Sequence, residues 1–216
     1  MTIAIESNEA NAEETRLTAV ICSSMRFVKA AVRITACAIV PMLFATQSVN
    51  ADTSNRIQPK RQMAAPSGAV ELCSRYAWAC ATSSGGAKIS SLQIPAVQKI
   101  NRRINQSVRS VPDQRQYRTK DVWALPTRTG GDCEDYALAK KLKLVQMGYA
   151  PEELLIATVV HKKLGPHAVL VIRTEQGDYV LDNLTNRVLL WKETNYFFVQ
   201  MQNPQNPKQW VGVFLG

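Results

Sequence analysis

Histidine is scarce in this 216-residue chain, which contains only His161 and His167. Zinc sites normally take about three or four histidine, cysteine or carboxylate ligands at recognised spacings, and no such spacing occurs here. Helix-turn-helix, zinc-finger and RNA-binding signatures are also missing, although the net charge is +9. The sequence therefore indicates neither a zinc enzyme nor a nucleic-acid-binding protein, and we expect no organic cofactor.

The chain also lacks an apolar run long enough to cross a membrane. The best candidate, residues 34–45, is shorter than the roughly 20 residues that a span needs, and Pro41 interrupts it. A basic stretch from Met25 precedes this run, and Val49-Asn50-Ala51 behind it fits the small residues of a signal-peptide cleavage site. Residues 1–51 are thus predicted to be a secretory signal peptide, with Met25 as an alternative start. No stable membrane span is expected after cleavage.

The rest of the chain has the composition of one ordinary globular domain. Residues 52–68 are polar and contain two prolines, so they are predicted to be a flexible leader. Residues 69–216 are numerous enough to form a single domain with a proper core. The basic excess persists without residues 1–51, and it is compatible with an acidic substrate, an anionic membrane surface or the cell wall.

A change of hydrophobic periodicity separates a helical part from a sheet part. Residues 94–108 have helical spacing, and so does a segment that begins near Asp132 and ends at Gly148. Short runs rich in β-branched and aromatic residues follow, separated by turn residues, at 154–160, 168–173, 179–184, 188–191, 196–200 and 210–214. Helices followed by antiparallel strands indicate an α+β fold.

The cysteines single out one thiol. Cys22 and Cys37 would leave with the signal peptide, so the exported chain keeps Cys73, Cys80 and Cys133. In an oxidising compartment Cys73 and Cys80 are close enough in sequence to form a short-loop disulfide, which leaves Cys133 unpaired. An inert buried cysteine normally lies in an apolar run, whereas Cys133 lies in the polar stretch GGDCEDY. This context favours a reactive thiol.

A histidine and a carboxylate accompany that thiol. Cys133 is predicted at the first turn of the second helix, where free N–H groups and the helix dipole favour a thiolate and an oxyanion. His167 begins the run HAVLVIR, and Asp182 lies on the next predicted strand. Antiparallel pairing of these strands would set the carboxylate beside the imidazole, where it would fix the tautomer. Each residue alone also fits a structural role, and His161 is interpreted as a solvated loop residue at a basic hairpin tip.

The segments INRRINQSV, DVWALP, GDCEDYALAK and HAVLVIRTEQGDYVLDNL resemble those of the bacterial transglutaminase-like cysteine peptidases, a family that includes the LapG-like periplasmic proteases. The resemblance covers roughly residues 72–213. It implies a papain-like or transglutaminase-like core with the nucleophile Cys133 at a helix N-terminus. It further implies His167 as general base, Asp182 as its orienting carboxylate and a disulfide between Cys73 and Cys80.

The same resemblance implies a function and partners. We expect a periplasmic peptidase that cleaves a protein substrate through an acyl-enzyme. The relatives release biofilm adhesins, so a large exported adhesin is the expected substrate and an inner-membrane receptor the expected regulatory partner. A transglutaminase-type acyl transferase would use the same residues and stays an alternative. A non-catalytic binding module on the same fold is a second alternative, which an intact triad disfavours.

Carboxylates flank the candidate nucleophile on both sides. Asp132, Glu134 and Asp135 would raise the pKa of the Cys133 thiol by repulsion, which opposes activation. The resemblance implies that Asp132 and Glu134 bind calcium, a cation that prefers oxygen ligands and would remove this penalty. The alternative is helix capping, with Asp132 at the N-cap and the other two residues in the first turn.

Overall fold

The computed structural model describes residues 55–83 and 85–215. The predicted signal peptide, residues 1–51, lies outside the described residues. Within the described ranges, none of the helices has the length and apolar character needed to cross a bilayer.

The described residues form a seven-stranded antiparallel sheet. The strands are β1 (Arg61–Met63), β2 (Leu154–His161), β3 (Gly165–Thr174), β4 (Gly177–Leu181), β5 (Leu189–Leu190), β6 (Tyr196–Asn203) and β7 (Asn206–Leu215). They lie side by side in the order β1-β7-β6-β2-β3-β4-β5. The hairpin of β2 and β3 is therefore near the centre of the sheet, with β6 on one side and β4 on the other.

The helices come before the central strands in the chain. Those of the described ranges are α1 (Leu72–Arg75), α2 (Ile94–Ser107), α3 (Asp113–Gln116) and α4 (Cys133–Gln146). Helix α4 packs on β3 and β2, and α2 packs on α4. The two predicted helices correspond to α2 and α4, and each of the six predicted strand runs overlaps a strand from β2 to β7. The α+β fold is confirmed.

The sheet has a hydrophobic core on each face. Ile156 and Leu170 belong to the core that faces α4. Their chain neighbours Leu155 and Val171 belong to the core on the other face. Successive strand residues point to opposite faces, and both faces are covered here, so β2 and β3 are almost continuously apolar.

The segment predicted as a flexible leader, residues 52–68, contributes to this sheet in its described part. Residues 61–63 form the edge strand β1, which pairs with β7. Ile57 is completely buried, and its backbone N–H donates to Asp178 Oδ2 at 2.8 Å. A three-residue strand is too short to show the alternation from which strands are predicted.

Cys73 and Cys80 form a disulfide that joins α1 to the 3-10 turn Ala77–Cys80. Cys133 is the free cysteine of the described residues. The bridge therefore leaves one thiol available for chemistry in this part of the chain.

A buried glutamine connects the disulfide region to the sheet and to α4. Gln202 Nε2 donates to the carbonyls of Ala79 at 3.1 Å and Pro207 at 3.0 Å. Its Oε1 accepts from Lys141 Nζ at 2.9 Å and from the Ile156 N–H at 3.1 Å. Burial lowers the pKa of Lys141 to about 7, and the Gln202 side chain gives this buried amino group a hydrogen-bond acceptor.

Gln202→Ala should lower the free energy of unfolding by about 3 kcal/mol, because it leaves Lys141 and two carbonyls without their buried partner. Urea unfolding followed by circular dichroism measures the change. Gln205→Ala, at an exposed position of the β6–β7 turn, is the control and should cost less than about 0.5 kcal/mol. Equal losses in the two variants would contradict this role for Gln202.

Candidate active site

Two glycines allow the chain to enter helix α4 at Cys133. Gly130 has a φ of 131°, and a Cβ there would lie 2.1 Å from the carbonyl oxygen of Arg109. At Gly131 a Cβ would lie 2.4 Å from Asp135 Oδ2. Any larger residue would therefore collide with the protein itself, and the pair fixes how closely the helix start packs on its surroundings.

Cys133 and His167 line one cavity of about 480 Å³ between the start of α4 and the strands β2 and β3. Trp123, Thr158 and Ala168 contribute to the same walls. The helix brings the thiol to the cavity and the sheet brings the imidazole, because α4 packs directly on β3. The fold thus brings two residues that are 34 positions apart in the sequence to the wall of the same cavity.

His167 and Asp182 form a hydrogen bond of 2.8 Å between Nε2 and Oδ1. Asp182 follows β4 directly and is only 3% exposed. Burial alone would raise the pKa of Asp182, but hydrogen bonds from His167 and Tyr196 outweigh that effect and hold the pKa below its ordinary value. The carboxylate therefore stays ionised beside the imidazole, whose Nδ1 is not engaged by Asp182.

The Cys133 thiol makes a different contact. Its Sγ–H donates to Glu134 Oε2 at 3.0 Å, and the hydrogen bonds of the described residues include none between this thiol and His167. Burial raises the pKa of Cys133, and the charge of Glu134 raises it further. These effects disfavour the thiolate, so compensation of the nearby negative charge would promote ionisation of Cys133.

Asp132 occupies the N-cap position of α4, but its side chain makes no capping hydrogen bond. Instead, Asp132 Oδ2 accepts from the backbone N–H of Asp113 at 3.1 Å. Asp132 and Glu134, predicted as joint ligands, lie in separate groups that share Asp113. One group is Asp113, Asp132 and Asp135, the other is Asp113, Asp121 and Glu134, and the ligand oxygens within each lie within 4.8 Å of one another.

The first of these groups fits a metal ion. Asp113 Oδ1, Asp132 Oδ1 and Asp135 Oδ2 are buried and have no hydrogen-bond partner. Burial raises the pKa of Asp113, and it raises that of Asp135 to about 7, with neighbouring carboxylates adding to both shifts. Unpartnered buried oxygens are costly, and several of them together are what a hard divalent cation takes as ligands. The acidic residues here are thus able to hold a metal ion.

Sequence reasoning missed Tyr196 and the contact that His161 makes with it. Tyr196 on β6 donates its hydroxyl to Asp182 Oδ2, and its ring centroid lies 5.7 Å from that of His167. His161 is half-buried at the end of β2, where its Nδ1 accepts from the N–H groups of Lys163 and Leu164 in the hairpin turn. Its ring packs edge-on against that of Tyr196, with centroids 5.6 Å apart. Asp113 and Asp121 were also missed, because no local motif links them to the helix start.

Comparison with known proteins gives one family. Residues 59–214 match the family model of the bacterial transglutaminase-like cysteine proteinases. No curated protein matches the chain.

Among solved structures, the chain is similar to LapG of Legionella pneumophila. The calcium-bound form is 26% identical over 60% of this chain and 74% of that one, with a TM-score of 0.48. The EGTA-treated form is 27% identical over 53% and 64%, with a TM-score of 0.44. A third LapG structure is 27% identical over 54% and 66%, with a TM-score of 0.45.

A divalent cation added to the chelator-treated protein should raise its melting temperature, because a ligand that binds only the folded state stabilises it by mass action. Asp113→Asn removes the carboxylate common to both groups and should raise the cation concentration for half of the shift by about tenfold or more. Differential scanning fluorimetry measures both effects, with the surface variant Glu71→Gln as control. An unchanged melting temperature up to millimolar cation would rule out this metal site.

Proposed function

The chain belongs to the bacterial transglutaminase-like cysteine proteinase family and is a cysteine peptidase, and on that premise we propose that Cys133, His167 and Asp182 are its catalytic triad. The observation that carries the proposal is the cavity shared by the thiol and the imidazole, together with the 2.8 Å hydrogen bond from His167 to Asp182. Nucleophile, base and orienting carboxylate are the three parts that thiol catalysis requires.

In this mechanism His167 takes the proton of the Cys133 thiol, and the sulfur attacks the carbonyl carbon of the scissile peptide bond. The tetrahedral intermediate collapses, the carbon–nitrogen bond breaks, and the imidazolium gives its proton to the leaving amine. His167 then takes a proton from water, which attacks the thioester and releases the carboxylate product and the thiol. Asp182 holds the imidazole in one tautomer and stabilises the imidazolium.

The first turn of α4 is the proposed site of oxyanion stabilisation. Its first backbone N–H groups have no partner within the helix, and the helix dipole concentrates positive charge at this end. Cys133 is the first residue of α4, so the negative charge that develops on the substrate oxygen arises next to these donors.

We propose calcium as the ion of the acidic cluster, held by Asp113, Asp132 and Asp135 and supplemented by Glu134. The buried carboxylate oxygens without partners support this proposal, since calcium accepts irregular cages of oxygen ligands. Bound calcium would offset the negative charge that now raises the pKa of the thiol. Asp132 and Glu134 are the ligands expected from sequence, and Asp113 and Asp135 are added on the evidence of their unpartnered oxygens.

We further propose that the enzyme works in the periplasm on a large exported adhesin, and that an inner-membrane receptor regulates it. The motifs that flank Cys133 and His167 and the predicted signal peptide, residues 1–51, support this assignment.

A transglutaminase-type transfer of the acyl group to an amine is the alternative reaction, and it differs from hydrolysis only in the acceptor. Mass analysis of the products separates the two reactions, because hydrolysis gives a free carboxylate and transfer gives a new amide.

Cys133→Ala should abolish cleavage while leaving the melting temperature within a few degrees of the native value, because a small residue at a helix start costs little packing. Asp182→Asn should lower the rate about a hundredfold or more and leave residual activity, because orientation is lost but the nucleophile remains. Cleavage of a peptide or protein substrate, followed by mass spectrometry, measures both. Native activity in Cys133→Ala would refute the thiol mechanism.

Removal of divalent cations by a chelator should suppress cleavage, and calcium should restore it better than magnesium, which demands a more regular octahedral cage. Asp132→Asn should raise the calcium concentration needed for half-maximal activity. If Asp132 served only as a helix cap, this variant would have almost native activity and calcium requirement, because asparagine caps a helix about as well as aspartate. Full activity after exhaustive chelation would eliminate the proposed role of calcium.

A further inference from the structure

Asp182 is held by four different parts of the fold. Its Oδ1 accepts from His167 Nε2 at 2.8 Å and from the Leu184 N–H at 3.0 Å. Its Oδ2 accepts from the hydroxyl of Tyr196 on β6. The backbone carbonyl of Asp182 accepts a hydrogen bond from Asn105 Nδ2 in α2 at 2.9 Å. Both carboxylate oxygens are therefore occupied, and the hydroxyl of Tyr196 is the side-chain donor on Oδ2.

Tyr196 contacts both members of the His167–Asp182 pair. Besides its hydrogen bond to Asp182, its ring lies against the His167 ring, with centroids 5.7 Å apart. The ring is itself held in place, because His161 packs edge-on against it and the strand register pairs the two residues. Tyr196 is only 8% exposed, so water does not readily replace its hydroxyl.

We propose that Tyr196 is a positioning residue of the active site, which orients the Asp182 carboxylate toward His167 through its hydroxyl and confines the imidazole through its ring. The inference rests on the proposed triad. A hydrogen bond to a charged acceptor stabilises the ionised form and fixes the direction of the carboxylate. Burial raises the pKa of Tyr196, and the charge of Asp182 raises it further, so the phenol remains a donor throughout the working pH range.

Other charged groups face Asp182 and stay in place when the hydroxyl is removed. Lys140 in α4 is buried, and its ammonium group is attracted by the negative charge of the Asp182 carboxylate. Arg187 and Glu193, together with His161, line a cavity of about 230 Å³ that also reaches Asp182 and Tyr196. Burial lowers the pKa of Lys140 to about 7, so its titration contributes to any pH profile near neutrality. A comparison of variants that all retain these groups isolates the contribution of the hydroxyl.

Tyr196→Phe keeps the ring and removes the hydroxyl. The turnover number for a fluorogenic peptide that the native protein cleaves should fall about tenfold with KM unchanged, because positioning acts on the reaction and not on substrate binding. Loss of the donor also raises the pKa of Asp182, so the acid limb of the pH profile should move to higher pH. Tyr136→Phe is the matched control. It removes another buried hydroxyl, one that donates to the Val108 carbonyl at 2.6 Å, and it should leave the acid limb in place.

Long-range proton–nitrogen NMR spectra give a readout that does not depend on turnover, and the chain has only two histidines to assign. His167 should be a single tautomer protonated at Nε2 in the native protein and a mixture in Tyr196→Phe. If Asp182→Asn is impaired while Tyr196→Phe keeps native turnover, pH profile and tautomer, the role of Tyr196 is refuted and the triad stands. Native activity in Asp182→Asn would refute both.

Discussion

Buried negative charge at the start of helix α4 is the constraint on which the rest of the site depends. Asp113, Asp132, Glu134 and Asp135 converge there, and three of their oxygens have no partner. Like charges repel strongly where water is excluded, so the cluster must be neutralised by protons or by a cation. The thiol of Cys133 lies next to these carboxylates and donates a hydrogen bond to Glu134. Neutralising the carboxylates would therefore also make it easier for the thiol to ionise.

The sheet supplies the opposite half of the site under different electrostatic conditions. There the carboxylate of Asp182 is fully hydrogen-bonded and ionised, and it faces an imidazole. Two carboxylate environments thus lie on either side of one cavity, one that disfavours charge and one that stabilises it. If Cys133 and His167 act as proposed, this contrast separates the control of the nucleophile from the orientation of the base. The packing of α4 on β3 holds the two environments next to the same cavity.

Part of this arrangement could be predicted from the sequence because it depends on local patterns. The polar start of α4 and the antiparallel pairing of β3 with β4 follow from periodicity and turn residues, and they bring Asp182 next to His167. The other contacts join segments whose proximity no local pattern encodes. Asp113 meets Asp132 across 19 residues of chain, and Tyr196 reaches Asp182 from β6, which lies on the far side of β2.

A thiol-directed peptide electrophile, followed by peptide mapping and mass analysis, tests most directly whether the fold makes Cys133 a nucleophile. With Cys73 and Cys80 joined, Cys133 is the free thiol of the described residues. One rapid adduct is expected at Cys133 in the folded protein supplied with calcium, and slow labelling after unfolding in urea or in His167→Ala. Equal labelling rates in the folded protein, the unfolded protein and His167→Ala would show that the fold does not activate Cys133.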